Sequence, residues 1–364
     1  MHAGTRKRRR AATSGEILRL IREEEIHTRA ELARITGLSR PIIGQRVTEL
    51  LDAEFVIEAP GVSSGGRPAA RLEFNGDGGT VLVASLGHTH GHLAVCDLSG
   101  AVLAKKPVAM SGGIKGILDA WGSLERGPVR GVGIALPGPA LVDESIAKAV
   151  ADRYAVPVHI DNDVNVMALG EHRLRHDVDD LLFIKASTGI GAGIVSGGRL
   201  QRGAFGSAGE IGHIPVPDGL LCGCGTVGCV ETIAGGAALL AQLNGRAHDL
   251  PELASLARSG DLEAVAVLRE AGRRIGEVVA AAVNILNPAL VVLGGDLSGK
   301  NLIAGVREAV YHRAAAAATR QLRIEPSELG DDAGLLGCAT MILDHILSPD
   351  AVDASLQNQA RQPA

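Results

Sequence analysis

The chain has 364 residues, 46% hydrophobic but only 2% aromatic, so its core must be built mainly from Val, Leu, Ile and Ala. The net charge of −5 hides a split: residues 1–75 carry 13 Lys+Arg against 10 Asp+Glu (+3), the remainder 23 against 31 (−8). These features exclude a single small domain and a uniformly basic protein, and favour a small nucleic-acid-binding head on an acidic body. The N-terminus is polar and basic with no apolar run behind it, unlike a secretory signal. The most membrane-like stretch, Val278 to Gly294, is interrupted by Asn284, Asn287 and Pro288 and reads as a buried helix, a turn and a strand. A cytoplasmic protein without a membrane partner is therefore expected.

In chain order, residues 1–12 form a basic arm. Its run Arg6-Lys7-Arg8-Arg9-Arg10 suits either a solvated tail or a DNA-grasping segment. Ile17, Leu20 and Ile21 have helical spacing, with Thr13 or Ser14 as a cap. Thr28-Arg-Ala-Glu31 is a capping box for a second helix that ends at Gly37. A third helix begins near Ser39, takes Pro41 in its first turn, and turns Val47, Leu50 and Leu51 inward. This is a helix-turn-helix pattern, whose third helix would enter the major groove of a double-stranded DNA operator. Arg40, Gln45 and Arg46 are the candidate base readers, because Arg suits guanine and Gln suits adenine. Two strand-like runs, 55–58 and 70–74, flank Gly65-Gly66-Arg67-Pro68 and predict a wing, with Arg67 available to the minor groove or a phosphate. Such three-helix heads also serve as protein-docking modules.

Beyond residue 78, strand-like runs at 81–85, 92–97, 129–136, 156–160, 181–186 and 290–293 alternate with helical ones, an α/β pattern. Asn162 and Asp163 follow one strand, where a carboxylate is well placed as a general base. They can also simply cap the next helix. Thr188-Gly189-Ile-Gly191-Ala-Gly193 resembles a phosphate-cradling loop but leads into a strand and hairpin, which argues against a dinucleotide-binding Rossmann site. Three of the five cysteines, Cys222, Cys224 and Cys229, fall in one glycine-rich run just after His213. Four converging nitrogen and sulfur donors predict a structural zinc site. Cys96 and Cys338 lie on apolar segments and read as core.

The segments Gly209-Glu210-Ile-Gly-His213, Cys222-Gly-Cys-Gly-Thr-Val-Gly-Cys229-Val-Glu231 and Ile160-Asp-Asn-Asp-Val-Asn165 resemble the ROK family of sugar kinases and sugar-responsive repressors. The likeness runs from about residue 13 to about 347, and RAELARITGLSR with a later GGRPA resembles the head of its repressors. It implies a winged helix-turn-helix over 13–75 and a two-lobed actin-like ATPase body over 78–347. Residues 348–364 are left as a disordered tail. By resemblance, Asp163 is the base, and Asn162, Asp163, Glu210, His213 and Glu231 hold sugar hydroxyls. Thr188, Gly189, Gly191, Gly193, Gly294 and Gly295 match the nucleotide loops.

The chain departs from the kinase pattern twice. The family's Asp-x-Gly-Gly-Thr loop is here Ser85-Leu-Gly-His88-Thr89, which removes a metal-positioning carboxylate and a small residue beside phosphate. The stretch between Pro137-Gly138 and Asp161 is shorter than usual. The resulting expectation is a DNA-binding regulator with a sugar or sugar-derivative effector, zinc, no working ATP–magnesium site, and a homodimeric or homotetrameric assembly. A bifunctional sugar kinase and a regulator with a non-sugar effector are the alternatives.

Overall fold

The computed structural model describes residues 12–60, 70–87, 90–124, 126–138 and 144–359. Its head contains α1 (Ser14–Glu23), α2 (Arg29–Thr36) and α3 (Arg40–Asp52), followed by an antiparallel ribbon of β1 (Val56–Ala59) and β2 (Arg71–Phe74). Thr13 caps α1 by accepting from the Glu16 N–H, and Thr28 caps α2 by accepting from the Glu31 N–H. Gly37 ends α2 in the left-handed conformation, where a side chain would be strained. Ser39 precedes α3 without a side-chain capping bond.

The body repeats one sheet topology twice. In the first lobe, β3 (Thr80–Leu86), β4 (His90–Asp97), β5 (Val102–Ala109), β6 (Val129–Leu136) and β7 (Val158–Asn162) lie in the order β5-β4-β3-β6-β7. Between them run α4 (Gly113–Gly122) and α5 (Glu144–Tyr154). After α6 (Asp163–Leu174) the second lobe supplies β8 (Leu181–Ala186), β9 (Ile190–Ser196) and β10 (Arg199–Gln201), then α7 (Glu231–Ala234), α8 (Gly236–Gln242), α9 (Leu250–Arg258) and the long α10 (Leu262–Leu286). It closes with β11 (Leu290–Gly294), α11 (Lys300–Arg313), α12 (Ala316–Thr319) and β12 (Arg323–Pro326), in the sheet order β10-β9-β8-β11-β12. Each sheet is therefore an antiparallel meander of three strands extended by two parallel ones.

The strands expected at 81–85, 92–97, 129–136, 181–186 and 290–293 are present, while the one expected from Val156 begins at Val158. The helix, turn and strand expected across 278–294 correspond to the end of α10, a left-handed Asn287 and β11. No helix among the described residues is by itself long and apolar enough to cross a membrane.

Helix α13 (Asp332–Ile346) packs on the first sheet and against α6. The expected disordered tail is corrected by α14 (Pro349–Gln359), which lies against α1 of the head. Its Val352 is fully buried, and Asp353 accepts a hydrogen bond from the Gly15 N–H at 2.9 Å. A Cβ on Gly15 would collide with the Pro349 carbonyl, so the glycine permits this close approach. The same hydrophobic core runs from Ile17, Leu32 and Leu50 of the head through Val352 to Val83, Leu335 and Ile342 of the first lobe. Arg130 of β6 reinforces this join: its guanidinium donates to the carbonyls of Ala53 and Gly78 and lies over the Phe55 ring.

Head and first lobe should thus unfold as one cooperative unit. Asp353→Ala leaves the buried Gly15 N–H without its acceptor and is expected to lower unfolding free energy by about 1–3 kcal/mol. Chemical denaturation checks this, and an unchanged midpoint and slope would show that α14 does not hold the head.

Candidate functional site

The outward face at the start of α3 carries Arg40 and Gln45, both exposed, with Gln45 donating to Glu49 at 3.0 Å. Ile42, 41% exposed, joins them and was not singled out from the sequence. The core uses Ile43, Val47 and Leu50, so helical phase leaves Ile42 outside, where an apolar side chain can meet a thymine methyl. Arg46 lies nearer to α1, half-buried, with Ser14 and Glu49 each 3.4 Å from its guanidinium. Arg67, the Arg6–Arg10 run, His88 and Thr89 lie outside the described residues.

Between the lobes is a cavity of about 870 Å³, bounded by the ends of both sheets. Asp163, Glu210, His213 and Glu231 all reach its wall, together with Thr188, Gly189, Gly191, Gly294 and Gly295. Gly193 does not. It sits within β9, where a Cβ would press on Ala168 at 2.5 Å and on the Val164 carbonyl of α6 at 2.7 Å. Its assignment to a phosphate loop is corrected: the missing side chain there admits a helix. Gly189, in contrast, faces the Glu231 carboxylate, and Gly295 has φ +90° with no room for a Cβ beside the Ala186 carbonyl.

Asn162 lies on the same wall and also serves local structure. Its carbonyl oxygen caps α6 by accepting from the Val164 and Asn165 N–H groups, and its amide donates to the Gly138 carbonyl at 2.6 Å. Asn162 thus caps α6 while standing on the cavity wall beside Asp163. Asp163, largely buried, forms an ion pair with Lys185 of β8. Asp161 accepts from the Arg202 Nε and Nη2 groups, each at 2.7 Å. Glu231 accepts from the Ile190 N–H at 2.8 Å, anchoring the start of β9.

Lys185 is a charged cavity residue that sequence reasoning missed, and Asp296, which ends the Gly294-Gly295 segment, also lines the cavity. Lys185 is the one charged side chain in the apolar strand Leu181–Ala186, a signal that was available. Asp296 follows Gly294-Gly295 and contacts the Ser187 hydroxyl, setting an acid beside the first residues of the glycine loop. Ser85, where the kinase motif has Asp, faces Gly334 at the start of α13, and a Cβ on Gly334 would collide with it.

His213, Cys222, Cys224 and Cys229 place one donor atom each within 4.8 Å of one another. Cys224 and Cys229 sulfurs are 3.6 Å apart, and Cys222 sulfur is 3.6 Å from His213 Nδ1. Ligands about 2.0–2.3 Å from a tetrahedral ion have such separations, so the donors fit a metal ion. The backbone makes this possible through two isolated bridges, Pro215–Cys229 and Leu221–Val227, and left-handed Gly225 and Gly228. The Thr226 hydroxyl, 2.7 Å from Cys224, helps bring that thiol down to about 6, while burial pushes the neighbouring Cys229 thiol up. His213 Nε2 points the other way, 3.8 Å from Glu210, so one ring joins the cluster to the cavity.

A head with an exposed recognition helix, and a duplicated body with a cleft and a Cys/His cluster, together define a class. The ROK family model matches residues 84–345, and the chain belongs to the ROK family. The putative xylose repressor of Caldicellulosiruptor sp. strain Rt8B.4 is 30% identical, spanning 92% of this chain and 96% of that protein. The whole architecture, head included, is shared with a ROK transcriptional regulator described as a homolog of the E. coli MLC protein: TM-score 0.79, 24% identity, 95% of this chain and 98% of that one. A ROK glucokinase from Streptomyces griseus, solved with glucose and AMPPNP, is 30% identical with TM-score 0.64 and covers 99% of its own length but 72% of this chain. The regulator therefore accounts for more of this molecule than the kinase does.

Cys224→Ser removes one of three sulfurs. The wild-type protein is expected to carry about one metal ion per chain and the variant much less, with a lower melting temperature because binding stabilises the fold. Elemental analysis decides it; metal-free wild type would sink the assignment.

Proposed function

We propose that the protein is a DNA-binding transcriptional regulator that senses a small sugar or sugar derivative in the cleft between its lobes. The observation that carries this reading is the continuous core joining the head to the lobe that forms one wall of the cleft. Asp163, Glu210 and His213 offer hydroxyl ligands there, with carboxylates as acceptors and the ring nitrogen as a donor or acceptor. The ion in the Cys/His cluster is zinc, held by His213, Cys222, Cys224 and Cys229 as a closed structural site. Its role is to fix the loop that presents His213 and Glu210 to the cleft.

Signal transfer follows packed helices. Helix α6 begins at Asp163 in the cleft and crosses α13, where Cβ atoms on Gly337 or Gly170 would collide with the Val166 and Ala333 carbonyls. Helix α13 leads into α14, which holds α1. An effector that touches both lobes favours their closed arrangement by its differential affinity. Two heads reading two half-sites require an even-numbered assembly, a homodimer or homotetramer, and closure changes their relative placement.

The test is operator binding with and without sugars. Removing residues 1–75 is expected to abolish sequence-specific binding. Arg40→Ala is expected to weaken it by about 1–3 kcal/mol, the scale of one base contact. An effector that releases DNA must itself bind more weakly when operator is present, by the same factor. A truncated body that still shifts the operator in a gel would refute the reading.

A second reading, a regulator that also phosphorylates its sugar, is favoured by the glycines of both nucleotide loops on the cavity wall. Three observations count against it. Ser85 replaces the metal-positioning Asp, Lys185 occupies the Asp163 carboxylate, and Asp296 stands beside the phosphate loop. Phosphoryl transfer rests on positioning and cationic charge, which these changes oppose. Incubation with ATP, magnesium and a hexose panel is expected to yield no sugar phosphate. Turnover that disappears in Asp163→Asn would establish the second reading instead.

A further inference from the structure

Phe205 is 95% exposed, more than any other large apolar side chain among the described residues. The chain holds four Phe, two Tyr and one Trp, so an aromatic ring spent on solvent is conspicuous. Its place is specific. The segment Arg202–Gly209 leaves β10 and returns to the cavity wall, where Gly206, Ala208 and Gly209 line the same cleft as Glu210 and His213.

Both ends of this segment are fixed. Arg202 is held by its Nε and Nη2 contacts to one carboxylate oxygen of Asp161 on β7. Gly209 accepts from the Ala192 N–H at 2.8 Å and lies too close to the Ala192 carbonyl to carry a Cβ. Between the anchors, the Ala208 N–H donates to the Arg202 carbonyl at 3.1 Å and closes the base of the loop. Residues 203–207 make no hydrogen bond among the described residues. Gly203 and Gly206, on either side of Phe205, have φ of +72° and +78°, and a Cβ on Gly206 would meet nothing. The result is a short flap, pinned at its base, hinged at two glycines and tipped with a phenyl ring.

A cyclic sugar has two kinds of surface. Its hydroxyl edge needs hydrogen-bond partners, which Asp163, Glu210 and His213 supply. Its C–H face needs a flat apolar partner, and the electron-rich face of an aromatic ring suits the weakly positive C–H groups. Among the described residues the cavity wall contains no Phe, Tyr or Trp. We propose that Phe205 is a binding residue of the effector site, folding over the cleft to stack on the C–H face of a ring-closed sugar. This rests on the sugar-effector reading and sharpens it: the ligand class is a pyranose or furanose ring, and an open-chain polyol is discriminated against. The ring then gains burial only when a ligand is present, so flap closure is coupled to occupancy.

The experiment uses the full chain and isothermal titration with D-xylose, D-glucose and N-acetyl-D-glucosamine, alongside xylitol and D-glucitol. At least one ring sugar is expected to bind wild type and to bind Phe205→Ala about tenfold more weakly, with Phe205→Trp retaining affinity. Trp121 is fully buried, so the indole of Phe205→Trp reports separately, and its emission should shift to shorter wavelength on binding. Light scattering on the same samples is expected to give one assembly size for all three proteins. Equal affinity of wild type and Phe205→Ala for a sugar that binds overturns the proposal, as does a variant that changes assembly size without changing affinity. Tighter binding of an open-chain polyol than of its ring counterpart overturns the ligand class. If wild type binds none of the five compounds, the sugar-effector reading itself fails and takes this inference with it.

Discussion

The structure depends on how closely α6 and α13 approach. Each belongs to a different lobe: α6 packs Val164 and Ala168 against the second sheet, and α13 packs Leu335 and Cys338 into the core of the first. Side chains at Gly170 or Gly337 would drive them apart, since the opposing atoms are backbone carbonyls that cannot rotate away. Beside this crossing, fully buried Glu171 is satisfied by Arg175, the Ser327 hydroxyl and the Leu329 N–H. A buried carboxylate is tolerated only when paired and hydrogen-bonded in this way. The lobes are thus joined through two helices, this saturated polar cluster and the Arg202–Asp161 ion pair, beside the open cleft.

That joint explains why one fold can serve as enzyme or sensor with few changes. The cleft needs the same geometry for both: α6 must start at its floor, and the glycine strand β9 must lie against α6. Chemistry requires in addition a free carboxylate and cationic handling of phosphate. Here the carboxylate of Asp163 is tied to Lys185, and the side of the cleft near Gly294 and Gly295 carries Asp296 and Asp331. These are features of charge, not of architecture. They leave hydroxyl recognition by Glu210 and His213 available to a regulator.

Local rules made the head and the metal ligands legible in sequence. Thr28-Arg-Ala-Glu31 and Gly37 act within a few residues of themselves, and a Cys/His run advertises its chemistry directly. Four features resisted for physical reasons. The apolar stripe of α14 consists chiefly of Val352 and Leu356, too short to stand out from a polar tail until α1 is placed against it. Gly193 looks like a phosphate contact because a glycine that admits a helix and one that admits a phosphate are the same letter. Asn162 had two uses open to it: its carbonyl oxygen caps α6 and its amide donates to the Gly138 carbonyl, while the residue stays on the cavity wall. Arg46 has the outward phase expected of a base reader, but Ser14 and Glu49 offer nearer partners. The duplicated sheet order also left no detectable sequence repeat, since buried strands ask for apolar residues in general and not for particular ones.

The shared core of head and first lobe constrains how a signal can reach DNA. The head is not a bead on a linker: Arg130 reaches from β6 to the carbonyl of Ala53, and α14 is clamped between α1 and α13. Effector binding cannot loosen it without exposing residues such as Ile17, Leu50 and Val352, which costs more than a typical coupling of roughly 1–3 kcal/mol. On the proposed reading, the motion left would be rotation of the first lobe, carrying the head, against the second lobe about the α6–α13 crossing. Copies joined through their first lobes would keep their heads at fixed spacing whatever the cleft held. Copies joined through their second lobes would swing both heads as the clefts closed, so a small hinge rotation would become a larger displacement at the recognition helices. Because half-site spacing on DNA is set by the helical repeat, that displacement alone changes affinity, with no rearrangement inside the head.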